Sequence, residues 1–474
     1  MVNYKRISLV HSPLDLTAVA IPNTGSIAPL GLISLATYIS LKIPDLEINI
    51  IDGDLLGLDE TKKSIKSSNS DIVGIGVQAC ESYASALELA RVAKETGAIV
   101  VLGGEQSTIR ARQILHRRSF IDLIIRGQGE RGLELLLKGE RSEQIPGLVY
   151  RTEKRLPTNL STNSSIMENP TRRLRLRNLP IPDRRFVEQK RYALEFQKTL
   201  ESQLTDLESF VTIRTQDGCM KAIKDGVCTF CVRDDLMQAS LRTPAEFWNE
   251  VIYLQDLGVD YAWDIAPSFS SVSTKYLQAL AKTKPQTASM RFRIYARADD
   301  LAMEDKTKAL SDMGVENVLV GFDSGNQACL DSANKKTTLE QHRQAARNLR
   351  KYGISTYSGF ILGYLVETDE SMQDTLNHAC ELRDIIGERN YRIVTCSKMQ
   401  LYPGSGEWNV YLRANPQARL RYGEADLIDM RQLTEEYFRE FLHIDPAKAD
   451  EIAEQIRALS PIKSGKDMKK GMVH

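Results

Sequence analysis

The sequence predicts an α/β protein: an N-terminal doubly wound, Rossmann-type parallel sheet, then a partial (β/α)6 barrel, then a helical C-terminal region. Two rhythms and one cluster of cysteines carry this prediction. Short apolar, β-rich runs alternate with helix-patterned segments from residue 7 to about residue 137, and a longer-period alternation runs from 211 to about 405. Continuous apolar strands separated by helices build parallel sheets covered on both faces. Just after the first strand of the second rhythm stand Cys219, Cys228 and Cys231.

In the first rhythm, strands are expected at 7–10, 46–51, 72–77, 99–102 and 123–125, with helices over 31–41, 82–96 and 106–116. Doubly wound sheets bind ligands at the carboxyl ends of their strands, near a topological switch point. Those ends read Gly76-Val77-Gln78, Gly103-Gly104-Glu105 and Arg126-Gly127-Gln128-Gly129-Glu130. Glycine lets a backbone approach a large ligand closely, and it is equally the ordinary residue of a tight strand-to-helix turn.

Residues 151–205 change character, being rich in Arg, Asn, Pro and Ser, and read as a surface linker between domains at 1–150 and 206–410. The basic cluster Arg172, Arg173, Arg175 and Arg177 fits a solvated linker better than a phosphate site. Barrel strands are expected at 211–214, 261–265, 291–296, 317–321, 355–361 and 392–396, with helices at 244–257, 304–313, 339–352 and 370–386. An active site in such a barrel sits at the carboxyl ends of its strands. The region 411–474 is expected to be helical over 426–459 and to end in a disordered Lys/Gly tail.

Composition bounds the function. Lys plus Arg and Asp plus Glu each number 62, so bulk charge points to neither nucleic acid nor an anionic membrane surface. Seven cysteines, an odd number in a long chain, imply a reducing, cytoplasmic setting rather than a disulfide framework. Met1 to Arg6 lead directly into an apolar strand instead of a signal peptide. No apolar run approaches the roughly 20 residues that cross a bilayer.

Three cysteines within residues 219–231, on a glycine-containing loop after a buried strand, make a candidate metal site. Thiolates select zinc, copper(I) or iron–sulfur clusters, and three ligands leave a coordination position for something other than protein. Cysteine is also a common small core residue, so incidental thiols are the competing reading.

Several segments in order resemble the cobalamin-binding radical S-adenosylmethionine (SAM) enzymes with an N-terminal cobalamin domain. They are Ala28-Pro29-Leu30-Gly31-Leu32-Ile33, Asp71-Ile72-Val73-Gly74-Ile75-Gly76, Val101-Leu102-Gly103-Gly104-Glu105-Gln106-Ser107, and Asp122 through Glu130. In the barrel half they are Tyr295-Ala296-Arg297-Ala298-Asp299, Val320-Gly321-Phe322-Asp323-Ser324-Gly325, Phe360-Ile361-Leu362-Gly363 with Glu367, and Leu401-Tyr402-Pro403-Gly404. The resemblance covers residues 1 to about 410. Three departures stand out: eight residues separate Cys219 from Cys228 where the family has three, Asp323 replaces a common Glu, and Gln128 replaces another. Gly218 and Phe230 keep the family's places, so the wider spacing reads as a five-residue insertion.

The resemblance implies a [4Fe–4S] cluster on Cys219, Cys228 and Cys231, SAM contacts from Asp264, Arg297, Asp323 and Gly363, and cobalamin contacts from Leu30, Gly31, Gly76, Gly103, Gly104, Ser107, Gly127, Gln128, Gly129 and Glu130. Bland readings stand beside these: Asp264 as a strand-end carboxylate or helix cap, Arg297 as a salt-bridge partner. The implied activity is methylation of an unactivated carbon of a small metabolite or natural-product intermediate, by a 5′-deoxyadenosyl radical and methylcobalamin, with an external electron donor such as flavodoxin or ferredoxin. The alternatives are a cyclisation or rearrangement with the same cofactors, and a zinc-binding scaffold without catalysis.

Overall fold

The computed structural model describes residues 4–14, 25–154, 163–199, 207, 209–232 and 237–460. The chain divides into two compact units, residues 1–199 with 420–428, and residues 200–419 with 429–474.

The first unit is built on a seven-stranded sheet of β1 (Arg6–His11), β2 (Glu47–Asp52), β3 (Ile72–Gly76), β4 (Ile99–Gly103), β5 (Leu123–Ile125), β6 (Leu148–Lys154) and β7 (Asn163–Glu168), in the order β2-β1-β3-β4-β5-β6-β7. The first five strands are parallel. Alternate residues explain their continuous apolar character. Val100 and Leu102 of β4 enter one core with Leu87, Leu89 and Ala90 of helix Tyr83–Glu95, whereas Val101 enters the opposite core with Ile39 of helix Leu30–Lys42 and Leu133 of helix Gly129–Leu137. Both faces are therefore buried, as a doubly wound sheet requires. Strand order reverses between β1 and β3, which sets the switch point there.

Two features differ from the expected organisation. Residues 151–154 and 163–168 are not linker: β6 pairs antiparallel with β5, and β7 with β6, extending the sheet. Arg151 is held there by its guanidinium donating to the carbonyls of Leu115, Arg118 and Ile121. Farther along, helix Gln189–Gln197 places Tyr192 against Ala28 and Ile33. The C-terminal region is also divided, because residues 420–428 belong to the first unit. Asp426, 4% exposed, accepts from Tyr83 Oη at 3.0 Å and Arg118 Nε at 2.6 Å, while Arg110 donates to the carbonyls of Tyr422 and Gly423.

In the second unit, β8 (Val211–Ile213) is followed by the short antiparallel pair β9 (Gln216–Asp217) and β10 (Ser240–Leu241), then by β11 (Tyr261–Asp264), β12 (Arg291–Arg297), β13 (Val315–Asp323), β14 (Ser355–Leu362) and β15 (Tyr391–Lys398). The six long strands are all parallel and lie in sequential order, β8-β11-β12-β13-β14-β15. Right-handed crossovers that always add the next strand on the same side generate a partial barrel with its helices outside. The helices begin where capping chemistry dictates. Thr243 with Glu246 and Thr338 with Gln341 form capping boxes, and Gly314 and Gly353 end helices with φ of +109° and +67°. The expected helix over 426–459 is broken into segments Met430–Glu436, Tyr437–Leu442 and Pro446–Arg457. The expected disordered tail lies outside the described residues. Among the described residues no helix is long and apolar enough to cross a membrane.

Replacing Asp426 with Ala leaves the Tyr83 hydroxyl and the Arg118 guanidinium without their shared acceptor. The variant should lose about 3 kcal/mol of stability, read as a lower urea midpoint by circular dichroism.

Candidate active site

The cysteine loop is shaped by two residues with positive φ. Gly218 (φ +75°) follows β9, and a Cβ there would stand 2.5 Å from the Gln238 carbonyl, so only glycine fits. Cys219 then caps a short helix, Met220–Asp225, which ends at Gly226 (φ +81°). The five-residue insertion is thus a single helical turn and its return, and it comes back onto itself. Lys221, two residues after Cys219, reaches Cys228 Sγ with its Nζ at 3.5 Å. A tight turn follows, with Cys231 N donating to Cys228 O at 3.0 Å. All three thiols are partly exposed.

Distant segments fasten this loop. Asn334 donates its side-chain amide to Asp225 O at 3.1 Å and Val227 O at 3.0 Å, and Thr229 N donates to Ala333 O at 3.1 Å. On the other side Gly406 N donates to Thr229 O, and the Thr229 hydroxyl donates to the buried carboxyl of Glu407. Burial pushes the Glu407 carboxyl above the usual range. Among the described residues no three His, Cys, Asp or Glu side chains gather round one point as ligands of a single ion. Three half-exposed thiols on one loop, beside the Lys221 ammonium and within the field of Arg297, are a donor set that fits a soft, electron-rich metal group.

The strand ends supply the polar groups. Asp264 ends β11 and is 1% exposed; its Oδ1 accepts from Thr215 N at 3.4 Å and Ala266 N at 2.9 Å, while Oδ2 has no partner. It caps no helix, and burial pushes its pKa up to about 6. Arg297 ends β12, with Nε 2.9 Å from Asp299 Oδ1 and its NH2 group donating to Lys335 O at 2.7 Å. The salt-bridge reading therefore holds for part of that guanidinium. Burial opposes its charge, but Asp299 and Cys228 together hold its pKa raised. Asp323 ends β13 at a register shift, with φ +65°, and is ion-paired with Lys335. A Cβ on Gly321 would lie 2.7 Å from Asp323 Oδ1, so glycine makes room for this pair. Gly363 (φ +107°) is committed within the protein: its N–H donates to Glu367, its carbonyl accepts from Tyr437, and a Cβ would meet the Phe438 ring at 2.5 Å.

In the first unit the expected residues gather along the carboxyl edge of the sheet. Leu32 lies over Gly76, Leu35 over Gly129, and Ser34 against Glu130, so the segment opened by Leu30 and Gly31 adjoins the ends of β3 and β5. Gly104 has φ +95°, and a Cβ would stand 2.4 Å from Val77 O. Gly103 is nearly open on its side-chain face, and Gly127 donates its N–H to Thr108 Oγ1 at 2.9 Å. Ser107 is fully buried, yet its hydroxyl has no partner. Gln128 is instead spent on the main chain of Leu174, accepting from its N at 2.6 Å and donating to its O at 3.4 Å.

Residues 213–379 match the family model described as the radical SAM superfamily. This segment is a radical SAM domain. The whole chain resembles an uncharacterised methyltransferase of Pyrococcus horikoshii, 24% identical over 85% of this chain and 82% of that one. It is also 24% identical to an anaerobic magnesium-protoporphyrin IX monomethyl ester cyclase of Rubrivivax gelatinosus, over 68% of this chain and 56% of that protein. Among solved structures it is similar to the radical SAM methyltransferase TsrM of Kitasatospora setae with cobalamin and a [4Fe–4S] cluster bound. There the TM-score is 0.67 at 18% identity, covering 88% of this chain and 78% of that one. The chain thus shares the fold of that solved structure.

Within the radical SAM domain, sequence reasoning missed Lys221, Lys335, Tyr364 and Glu407. Lys335 is 7% exposed, pairs with Asp323, and lies 6.0 Å from the ring of Phe230, between Cys228 and Cys231. Tyr364 packs edge-on to the same ring, with its buried hydroxyl unpartnered. No spacing in the sequence marks them, because their partners are far away in the chain. On the first unit's edge, His11 at the end of β1, 3.2 Å from Asp52, was also missed.

The raised pKa of Asp264 gives a signed prediction. Protonation is favoured by folding, so the stabilisation is complete below the unfolded pKa near 4 and is lost as pH rises through about 6. The stability difference between wild type and Asp264→Asn should shift against wild type by about 3 kcal/mol from pH 4 to 7, measured by urea denaturation at each pH.

Proposed function

We propose that this chain is a cobalamin-dependent radical SAM methyltransferase that methylates an unactivated carbon of a small metabolite or natural-product intermediate. The observation that carries it is the three-thiol loop at the carboxyl end of the first barrel strand, on a chain whose other unit is a doubly wound sheet with a glycine-lined ligand edge. The donor chemistry fits both cofactors: three soft thiols for an iron–sulfur cluster, and a Gly104 backbone turn beside the orphaned Ser107 hydroxyl for a large polar ligand such as the corrinoid.

When bound, the cluster with SAM supplies radical initiation, and the corrinoid supplies the methyl group. The chain's own residues bind and orient. Cys219, Cys228 and Cys231 hold the cluster. Asp264 Oδ2, buried and unpartnered, receives the SAM ammonium, whose charge favours the ionised carboxylate that burial disfavours. Arg297 holds the SAM carboxylate, and Asp323, steadied by Lys335, accepts from a ribose hydroxyl. Gly76, Gly103, Gly104, Ser107, Gly127, Gly129 and Glu130 line the corrinoid edge, with Leu30 and Gly31 beside them; Gln128 serves by fastening the stretch at Leu174. Gly363 shapes the site by seating Phe438. A one-electron donor of the flavodoxin or ferredoxin type supplies reductant from outside, and the setting is cytoplasmic.

The likeness to the Rubrivivax gelatinosus cyclase favours one second reading, a cyclisation or rearrangement without net methyl transfer. Anaerobic reconstitution with iron, sulfide and cobalamin, followed by product mass analysis, separates the cases. The expected outcome is a broad brown absorbance lost in Cys228→Ala and a product heavier by one methylene unit. An unmethylated product moves the assignment to the second reading, and zinc uptake without iron to a non-catalytic scaffold.

A further inference from the structure

Lys221 lies inside the insertion and is 5% exposed. An ammonium has three N–H donors, and each finds an acceptor: Gly226 O at 2.9 Å, Asn334 O, and Cys228 Sγ at 3.5 Å. Two of these are main-chain carbonyls, one closing the insertion's own helix and one on the segment that clamps its return. The cation's position is therefore set by backbone rather than by a solvent-facing rotamer. Among the described residues no carboxylate pairs with it. Other groups share in closing the loop. Gly218 and Gly226 supply the turns, and the Asn334 side chain already ties Asp225 O and Val227 O. What the third N–H contributes is directed at a cluster sulfur.

We propose that Lys221 tunes the reduction potential of the iron–sulfur cluster, donating to the Cys228 sulfur and so stabilising the reduced state. The proposal rests on the cluster reading above. Hydrogen bonds to the sulfurs and the local net charge are levers by which a protein moves such a potential. The incoming electron, delivered one at a time by an external iron–sulfur or flavin donor, increases the negative charge on cluster and thiolate sulfur. An N–H···S bond from a cation therefore strengthens on reduction. Arg297 acts in the same direction from the other side, since its charge is coupled to Cys228. The insertion thereby acquires a purpose. It seats a buried cation against the Cys228 sulfur, and it lets a milder one-electron donor suffice.

The test is potentiometry on the reconstituted full-length chain, monitored by electron paramagnetic resonance, with iron and sulfide quantified in each sample. In Lys221→Met the reduced-to-oxidised ratio at fixed poise should fall about tenfold, equivalent to about 59 mV for one electron, whereas Lys221→Arg should stay near wild type. An unchanged midpoint in a fully loaded Lys221→Met overturns the proposal and leaves the cluster reading intact. Failure of wild type to take up iron and sulfide defeats that reading itself. A second measurement needs no variant: wild type carrying nitrogen-15 lysine should show a lysine-nitrogen coupling to the reduced cluster by pulsed resonance, and its absence overturns the proposal whatever the variants do.

Discussion

The second unit depends on returning an enlarged cysteine loop to one place. A long spacer between two thiols of one loop would carry them apart unless its ends were fixed, and here the ends are fixed from three directions. Positive φ at Gly218 and Gly226 turns the chain into and out of one short helix. The 333–335 segment holds the return through Ala333 O and the Asn334 side chain, and Gly406 and Glu407 hold Thr229 from the C-terminal side. Main-chain groups dominate these contacts. That matters because backbone hydrogen bonds place atoms with less conformational freedom than long side chains do.

The same 333–335 segment couples the loop to the strand ends. Lys335 gives its carbonyl to Arg297 and its ammonium to Asp323, while Asn334 beside it clamps the insertion. Residues from β12, β13 and the cysteine loop are thereby tied through three consecutive positions. Asn334 and Lys336 both have positive φ, at +50° and +58°. Backbone in that region is disfavoured for side chains other than glycine, and the density of contacts made by this segment over-determines its shape.

The six barrel strands were legible to within about two residues, helped by helices such as Leu339–Tyr352, which begins at the capping residue Thr338 and ends at Gly353. The doubly wound sheet was equally legible through β5. What failed to show was whatever depends on pairing between distant segments. β6 and β7 form an antiparallel extension at the sheet's edge, where polar residues face solvent, so their composition resembles linker. Residues 420–428 join the first unit through the buried Asp426 carboxylate and through carbonyls that accept from Arg110, none of which has a local signature. In the candidate site, the cysteines and strand-end residues were readable from position, whereas Lys221, Lys335, Tyr364 and Glu407 act partly through neighbours up to 178 residues away. Gln128 shows the converse, since a residue picked out by position turns out to be committed to Leu174.

Where polar groups are left unsatisfied is itself informative. A buried polar atom without a partner costs on the order of 1–3 kcal/mol, and two buried carboxylates of the second unit avoid that cost. Glu367 accepts from Gly363 N, Tyr364 N and Ser371 Oγ, and Asp300 accepts from Lys306, Ser270 and Ser271. Around the cysteine loop and strand ends, by contrast, Asp264 Oδ2, Tyr364 Oη and Glu407 Oε2 have no hydrogen-bond partner. A core evolved only for stability would have replaced or paired them. Open groups at these positions are available to a polar ligand that satisfies them, with the fold bearing the penalty until it binds.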